Sequence, residues 1–130
     1  APIALLGPFR SQQAPERVQA LADSLGWPQP ELQGSSPYRQ LRYAPVDHLG
    51  VSGRVELAFF QEKLLAARFF PADAAAYGTR IDSLIQRALP RGGADLELTK
   101  IREQDGTRYA LWRSRCLHAA YQGWVAELAQ

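Results

Sequence analysis

The sequence predicts an α+β domain in which a five-stranded, mostly antiparallel sheet packs with about three helices, in the order α-βββ-α-ββ-α. Three stretches carry apolar residues at helical spacing, near the start, in the middle and at the end of the chain. Between them, pairs of apolar runs flank short polar breaks, which predicts hairpins. With 130 residues, of which 46% are hydrophobic, the chain has the size and composition of a single globular domain spanning 1–130.

The first predicted helix begins after Ser11, a candidate N-cap, and has Pro15 in its first turn. Gly26 is expected to end it, and residues 29–37, rich in glycine, serine and proline, are expected to form a loop or lid. The apolar stripe of this helix is short. It consists of Val18, Leu21, Ala22 and Leu25.

The next segments predict three strands. Residues 38–43 alternate polar and apolar side chains, as a half-buried strand does, and residues 47–53 are expected to be a flexible connection. Residues 55–70 form a hairpin if Gln61 and Glu62 are its turn, and both faces of this hairpin are apolar. One face is expected to carry Val55, Leu57, Phe59 and Leu64, and the other Ala58, Phe60, Leu65, Ala67 and Phe69.

The second half predicts a helix, a hairpin and a closing helix. The helix starts at Pro71-Ala72-Asp73 and runs to about Leu89, with an inner stripe of Ala76, Ile81, Leu84, Ile85 and Leu89. Asp105-Gly106 is the strongest two-residue turn signal in the chain, and it places Arg102 opposite Tyr109 in the second hairpin. Cys116 is expected to be buried at the start of the last helix. The apolar stripe of that helix is Leu117, Ala120, Tyr121, Trp124, Val125 and Leu128.

A hairpin that is apolar on both faces needs a cover on each side, and the helices differ in how much they can cover. The second and third helices are expected to cover one face, and the short first helix should leave part of the other accessible. An apolar centre with a basic rim is typical of a protein interface, so the expected partner is another protein or a second copy of the chain. The predicted binding residues are Tyr43, Phe60, Leu65 and Phe69 at the centre, with Arg39, Arg42 and Lys63 at the rim.

Two other functions remain open on the sequence. A small hydrolase-like enzyme could use His48 or His118 as its acid–base group. An anionic-ligand or nucleic-acid-binding module could use Arg102, Tyr109 and Arg113, which share a predicted face, although a net charge of +2 argues against nucleic acid. One cysteine and two separated histidines do not make a metal-ligand pattern, and no cofactor motif is present, so neither group is expected.

The start of the chain suggests export. There is no methionine, and the chain opens Ala1-Pro2-Ile3, which is compatible with signal-peptide removal after small residues. The single cysteine cannot form an internal disulfide. No apolar run reaches the roughly 18–20 residues of a membrane helix. The sequence therefore predicts a periplasmic or secreted protein.

One segment resembles a known family. A helix that ends in Leu25-Gly26-Trp27-Pro28 is followed by a variable loop, a tyrosine-bearing strand and an aromatic hairpin. In this order, residues 11–70 resemble the small bacterial envelope domains of the SmpA/OmlA type, which are β-lactamase-inhibitor-protein-like. Those domains accompany the outer-membrane assembly machinery, so the resemblance implies a non-enzymatic binding or scaffolding role in the envelope. The aspartate-glycine turn usual in that hairpin is replaced here by Gln61-Glu62.

Overall fold

The computed structural model describes residues 5–81, 95–104 and 106–129. Its six strands form one antiparallel sheet in the order β1-β2-β3-β4-β6-β5. The predicted α+β class with three helices is confirmed, and the sheet has one strand more than predicted. The elements are α1 Pro15–Ser24, β1 Glu31–Ser35, β2 Tyr38–His48, β3 Val51–Phe60, β4 Lys63–Pro71, α2 with residues 74–81, β5 Leu96–Gln104, β6 Thr107–Ser114 and α3 Arg115–Leu128.

The additional strand lies in the segment that the sequence predicted to be a loop. Residues 29–37 contain β1, which pairs with β2 from Glu31 opposite Arg42 to Ser35 opposite Tyr38. Glycine and serine are tolerated here because β1 is an exposed edge strand, whose side chains make few packing contacts. Gly34 has a φ of +78°, and a Cβ atom there would lie 2.9 Å from the Tyr38 carbonyl oxygen. The tight approach of the two strands therefore requires glycine at this position.

Two-residue turns join β2 to β3 and β3 to β4. The first is Leu49-Gly50, with φ of 54° and 77°, so the predicted flexible connection at residues 47–53 is wrong. The second is the predicted turn Gln61-Glu62, with φ of 51° and 63°. Positive φ at both central residues matches the right-handed twist of the flanking strands. This twist-matching geometry forms even though Gln-Glu is a weak turn pair.

The first helix starts later than its predicted cap. Pro15 is the first residue of α1, but the N-cap is Ala14, which makes no side-chain capping bond, so the prediction of Ser11 as the cap is wrong. The end of the helix follows the prediction. Gly26 has a φ of 76°, and the N–H groups of Gly26 and Trp27 donate back to the carbonyls of Asp23 and Ala22 at 3.0 and 3.1 Å.

The second helix begins where predicted. The Asp73 side chain accepts a hydrogen bond from the Ala76 N–H at 3.0 Å, which satisfies one of the free donors of the first turn of α2. Tyr77 and Ile81 are fully buried. The predicted stripe residues Leu84, Ile85 and Leu89 lie outside the described residues, as does Asp105 of the second hairpin. The predicted register of that hairpin is confirmed by the pairs Arg102 with Tyr109 and Glu103 with Arg108.

A bulge in β4 changes which residues share a face. Phe59 pairs with Leu64 as predicted, but Ala58 pairs with Ala66, which leaves Leu65 as the extra residue. Leu57 therefore pairs with Ala67, and not with Ala66 as a regular hairpin would require. Because side chains alternate along a strand, the extra residue moves every later residue of β4 to the opposite face.

The sheet has two covered faces, which we call the α1 face and the α3 face. The α1 face lies beneath residues 5–9, α1 and α2, and the α3 face lies beneath α3. The prediction that the second and third helices lie on the same side is therefore wrong. On the α1 face the buried strand residues include Leu41, Tyr43, Val55, Leu57, Phe59, Leu64, Ala67, Phe69 and Trp112. On the α3 face they are Ala58, Phe60, Leu65, Ala66, Tyr109 and Leu111.

Candidate binding surface

The apolar centre of the predicted binding surface does not exist as a surface. Tyr43, Phe60, Leu65 and Phe69 are each at most 3% exposed. Tyr43 and Phe69 lie on the α1 face, whereas Phe60 and Leu65 lie on the α3 face. The expectation that they form one accessible patch is wrong for two reasons: the β4 bulge moves Phe69 to the other side, and α3 covers the Phe60 side.

The predicted rim is also divided between the faces. Arg39 stands opposite Phe59, on the α1 face, and forms an ion pair with Glu62. Lys63 is exposed beside the turn, opposite Phe60. Arg42 stands opposite Glu56, on the α3 face. Of the predicted set, only Arg42 belongs to the basic surface that the structure brings together.

The helix α3 covers only one end of its face. Its ring contacts are made by Tyr121 with Tyr38 and Phe60, at 4.6 and 5.8 Å between centroids, and by Trp124 with Phe60 at 5.8 Å. These partners lie next to the Gln61-Glu62 turn. The opposite end of the same face carries a group of charged and aromatic side chains, which we call the arginine surface. It consists of Arg42, Arg54, Glu56, Arg68, Phe70 and Tyr109.

The strand register sets these residues in two adjacent rows. Arg42, Glu56 and Arg68 follow one another across β2, β3 and β4. Two residues along β3, Arg54 stands opposite Phe70. Phe70 packs against Tyr109 of β6, with 5.1 Å between the ring centroids. Alternation along β3 and β4 aims all of these side chains away from the α1 face.

One carboxylate holds two of the arginines. The Nε atoms of Arg42 and Arg54 lie 3.2 and 3.0 Å from the same Oε2 oxygen of Glu56. The Glu56 side chain is 10% exposed, whereas those of Arg42 and Arg54 are 31% and 38% exposed. The negative charge is therefore buried beneath two guanidinium groups that face solvent.

The two aromatic rings hold guanidinium groups as well. The Cζ atom of Arg54 lies 4.2 Å from the centre of the Phe70 ring, and that of Arg68 lies 5.7 Å from the centre of the Tyr109 ring. Both distances fall within the range of cation–π attraction. Arginine side chains that are already stacked and ion-paired lose less conformational entropy when they bind a ligand than arginine side chains that move freely in solvent. The arrangement is suited to binding an anionic group.

The arginines proposed from the second hairpin have another arrangement. Arg113 binds Glu97 through two hydrogen bonds of 2.9 and 2.6 Å, which neutralises its charge. Tyr109 does join the arginine surface, beneath Arg68. The side chain of Arg102 lies outside the described part of the structure. The alternating pattern Arg54-Val55-Glu56-Leu57 could have indicated part of the arginine surface from the sequence. Arg68 and Phe70 join the same face only because of the β4 bulge, which the sequence pattern does not reveal.

His48, one of the two histidines considered for an enzyme, is half-buried and packs against the core. Nδ1 of His48 lies 2.7 Å from the Tyr77 hydroxyl, and the imidazole packs against the rings of Phe69, Tyr77 and Trp112. Burial lowers the pKa of His48 from 6.5 to about 4 and raises that of Tyr77 above its usual range. A neutral histidine bonded to a buried tyrosine fits a structural role.

The other two candidate groups, Cys116 and His118, lie near the start of α3. Cys116 is exposed in the first turn of α3, so the prediction that it is buried is wrong. The ring of His118 lies near Tyr121 of the same helix, with 6.1 Å between centroids. Within the described residues, no three histidine, cysteine or acidic side chains lie close enough together to hold a metal ion. No helix in the same part of the chain is long and apolar enough to cross a membrane.

Comparison with known proteins does not identify this surface. No protein-family model matches the chain, and no curated protein matches its sequence. The function is therefore inferred from the geometry of the arginine surface itself.

Proposed function

We propose that the chain is a non-enzymatic binding domain that acts through protein–protein contact, and that the arginine surface on the α3 face is where its partner binds. One observation carries the proposal: on the end of the sheet face away from the ring contacts of α3, three arginines and two aromatic rings lie around a single buried carboxylate. Arginine and aromatic side chains are the residues enriched at the energetic centres of protein interfaces.

The position of these side chains on strands supports the proposal. The three arginines stand on neighbouring strands, with Arg42 on β2, Arg54 on β3 and Arg68 on β4. The opposite face of these strands packs in the main core. Side chains on such strands are held more precisely than side chains on loops, which favours recognition of a partner with a defined shape. The resemblance of residues 11–70 to SmpA/OmlA-type domains supports the further proposal that the partner belongs to the bacterial envelope, and that the chain acts in the periplasm or outside the cell.

The proposal is tested by capture from the envelope fraction of the source organism, with the immobilised chain in three forms. The forms are the wild type, the double variant Arg54→Gln/Arg68→Gln, and the control Arg10→Gln/Arg17→Gln. The control removes the same number of charges from exposed positions before and within α1. We expect a protein that the wild type and the control retain and the double variant loses. Equal retention by all three forms would show that the arginine surface is not the binding surface.

A further inference from the structure

The chemistry of the arginine surface narrows the class of partner. Building on the proposed function, we propose that the partner presents an extended acidic segment, whose aspartate or glutamate carboxylates bind Arg42, Arg54 and Arg68. This inference identifies the chemistry of the contact, whereas the proposed function concerns only its location. Three features of the surface carry it: free donors, excess positive charge and covered aromatic rings.

The guanidinium groups keep donors for a ligand. The Nε atoms of Arg42 and Arg54 lie within ion-pair distance of Glu56, and a terminal nitrogen of Arg42 donates to the Gln33 side-chain oxygen at 3.3 Å. A guanidinium has five N–H donors, so each of these two side chains still presents N–H groups to solvent. Two parallel N–H groups of one guanidinium match the two oxygens of a carboxylate.

The surface carries more positive than negative charge. Glu56 lies between Arg42 and Arg54, and exposed Glu31 stands opposite Arg42 at the sheet edge. Arg68 is stacked on Tyr109, and within the described part of the chain no ion pair joins it to a carboxylate. Within the six residues of the arginine surface, three guanidinium groups therefore accompany a single carboxylate, which is buried. Acidic side chains from a partner would balance this excess and would be drawn to it over a distance.

The spacing of the arginines suits an extended peptide. Arg54 and Glu56 are two residues apart on β3, so the row that contains Arg54 and the row that contains Arg42 and Arg68 are separated by about 6.6 Å. Alternate side chains of an extended peptide are separated by the same distance of about 6.6 Å and point to the same side. A segment with an acidic residue at every second position can therefore contact both rows at once.

The aromatic rings argue for a peptide over single-stranded nucleic acid. Base stacking requires open ring faces. Tyr109 is 5% exposed and has Arg68 over it, and Arg54 lies over Phe70. A base could stack on these rings only after displacing the arginines, whereas a carboxylate binds the stacked arginines as they stand. The rings act as supports for the guanidinium groups.

The test is a fluorescence-anisotropy titration of the full chain with a short labelled peptide of alternating glutamate and threonine. The matched probes are the same peptide with glutamine in place of glutamate, and a labelled oligothymidylate. We expect the acidic peptide to bind at low salt and to weaken as salt is added, with the glutamine peptide bound at least about tenfold more weakly. Arg54→Gln/Arg68→Gln should weaken the acidic peptide at least about tenfold, and Arg10→Gln/Arg17→Gln should leave its affinity within about twofold.

The outcomes separate this inference from the proposed function. Equal binding of the glutamate and glutamine peptides, or tighter binding of oligothymidylate, overturns the acidic-segment inference. If envelope capture still depends on Arg54 and Arg68 in that case, the proposed function stands and only the partner class is wrong. If the acidic peptide binds as expected but the double variant captures the same envelope proteins as the wild type, the ligand chemistry stands and the proposed partner contact fails. Thermal denaturation of both double variants checks that each remains folded.

Discussion

The α1 face and the α3 face belong to the same sheet but are covered to very different extents. Among the described residues, twenty buried apolar side chains pack on the α1 face and six on the α3 face. The α3 helix itself contains no buried residue, and Leu128 at its end is 66% exposed. Buried apolar area is the main source of stability, so the α1 face contributes most to the stability of the fold. The arginine surface, which we propose as the binding surface, lies on the less covered α3 face.

The largest expected effect tests the α1 face. Phe59→Ala should lower the free energy of unfolding by about 3–5 kcal/mol, because the ring is 1% exposed within the larger cluster and the cavity that it leaves is enclosed. Denaturant titration measures the loss. A change below about 1 kcal/mol would show that the α1 face is not the stabilising side of the sheet.

A second test of the α1 face uses pH. Burial depresses the pKa of His48 in the folded chain to about 4, whereas in the unfolded chain it is about 6.5. Because the folded state favours the neutral imidazole, this contribution is fully present above pH 6.5 and is lost as the pH falls from about 6.5 to about 4. The loss should be at most about 3 kcal/mol, and smaller to the extent that solvent reaches the ring. His48→Gln, compared with wild type in denaturant titrations over this range, should have a flatter acid limb; identical pH profiles would contradict the assignment.

The α3 face should respond less to the loss of an aromatic ring. Trp124→Ala should cost only about 1–2 kcal/mol, since Trp124 is half-buried and packs against Phe60 from a helix with no buried residue. In hydrogen-exchange measurements, the amides of α3 should exchange faster in Trp124→Ala than in the wild type, while the amides of β3 remain equally protected in both. If Trp124→Ala instead destabilises the chain as much as Phe59→Ala, the two faces contribute equally and the comparison fails.

The smallest expected effect is at Cys116. This thiol is exposed in the first turn of α3, so a thiol reagent should label the folded protein rapidly at neutral pH. Cys116→Ser should change the free energy of unfolding by less than about 0.5 kcal/mol, as expected for a surface position. If Cys116 were labelled only slowly, at a rate set by unfolding, α3 would be covered more completely than the difference between the two faces implies.

The sequence was most informative where structure is decided by neighbouring residues. Pro15 and Gly26 bound the first helix, Asp73 caps the second, and Gln61-Glu62 forms the predicted turn. Of the predicted stripe of α3, Leu117, Tyr121 and Trp124 pack on the sheet, whereas Ala120, Val125 and Leu128 are exposed. Caps, turns and periodicity act over a few residues, so a local pattern contains all the information that they need.

The candidate site differs from the predicted one in both location and composition. An apolar centre with a basic rim was expected, whereas the structure brings together an arginine surface that shares only Arg42 with the predicted set. The other members, Arg54, Arg68 and Phe70, were missed, because their common face depends on the extra residue Leu65 in β4. Four apolar residues were assigned to the surface because the face covered by each helix was inferred from the length and apolar stripe of that helix.

By itself, then, the sequence determined the α+β class, the antiparallel hairpins, the helix boundaries set by Pro15, Gly26 and Asp73, and an excess of arginine on the strands. Only the tertiary structure decided that β1 extends the sheet, that the bulge at Leu65 reverses the later part of β4, and that α2 and α3 lie on opposite sides. The physical reason is that these features depend on contacts between residues distant in sequence. A bulge is stabilised by what packs on each face, and a helix covers the face where it buries the most apolar area.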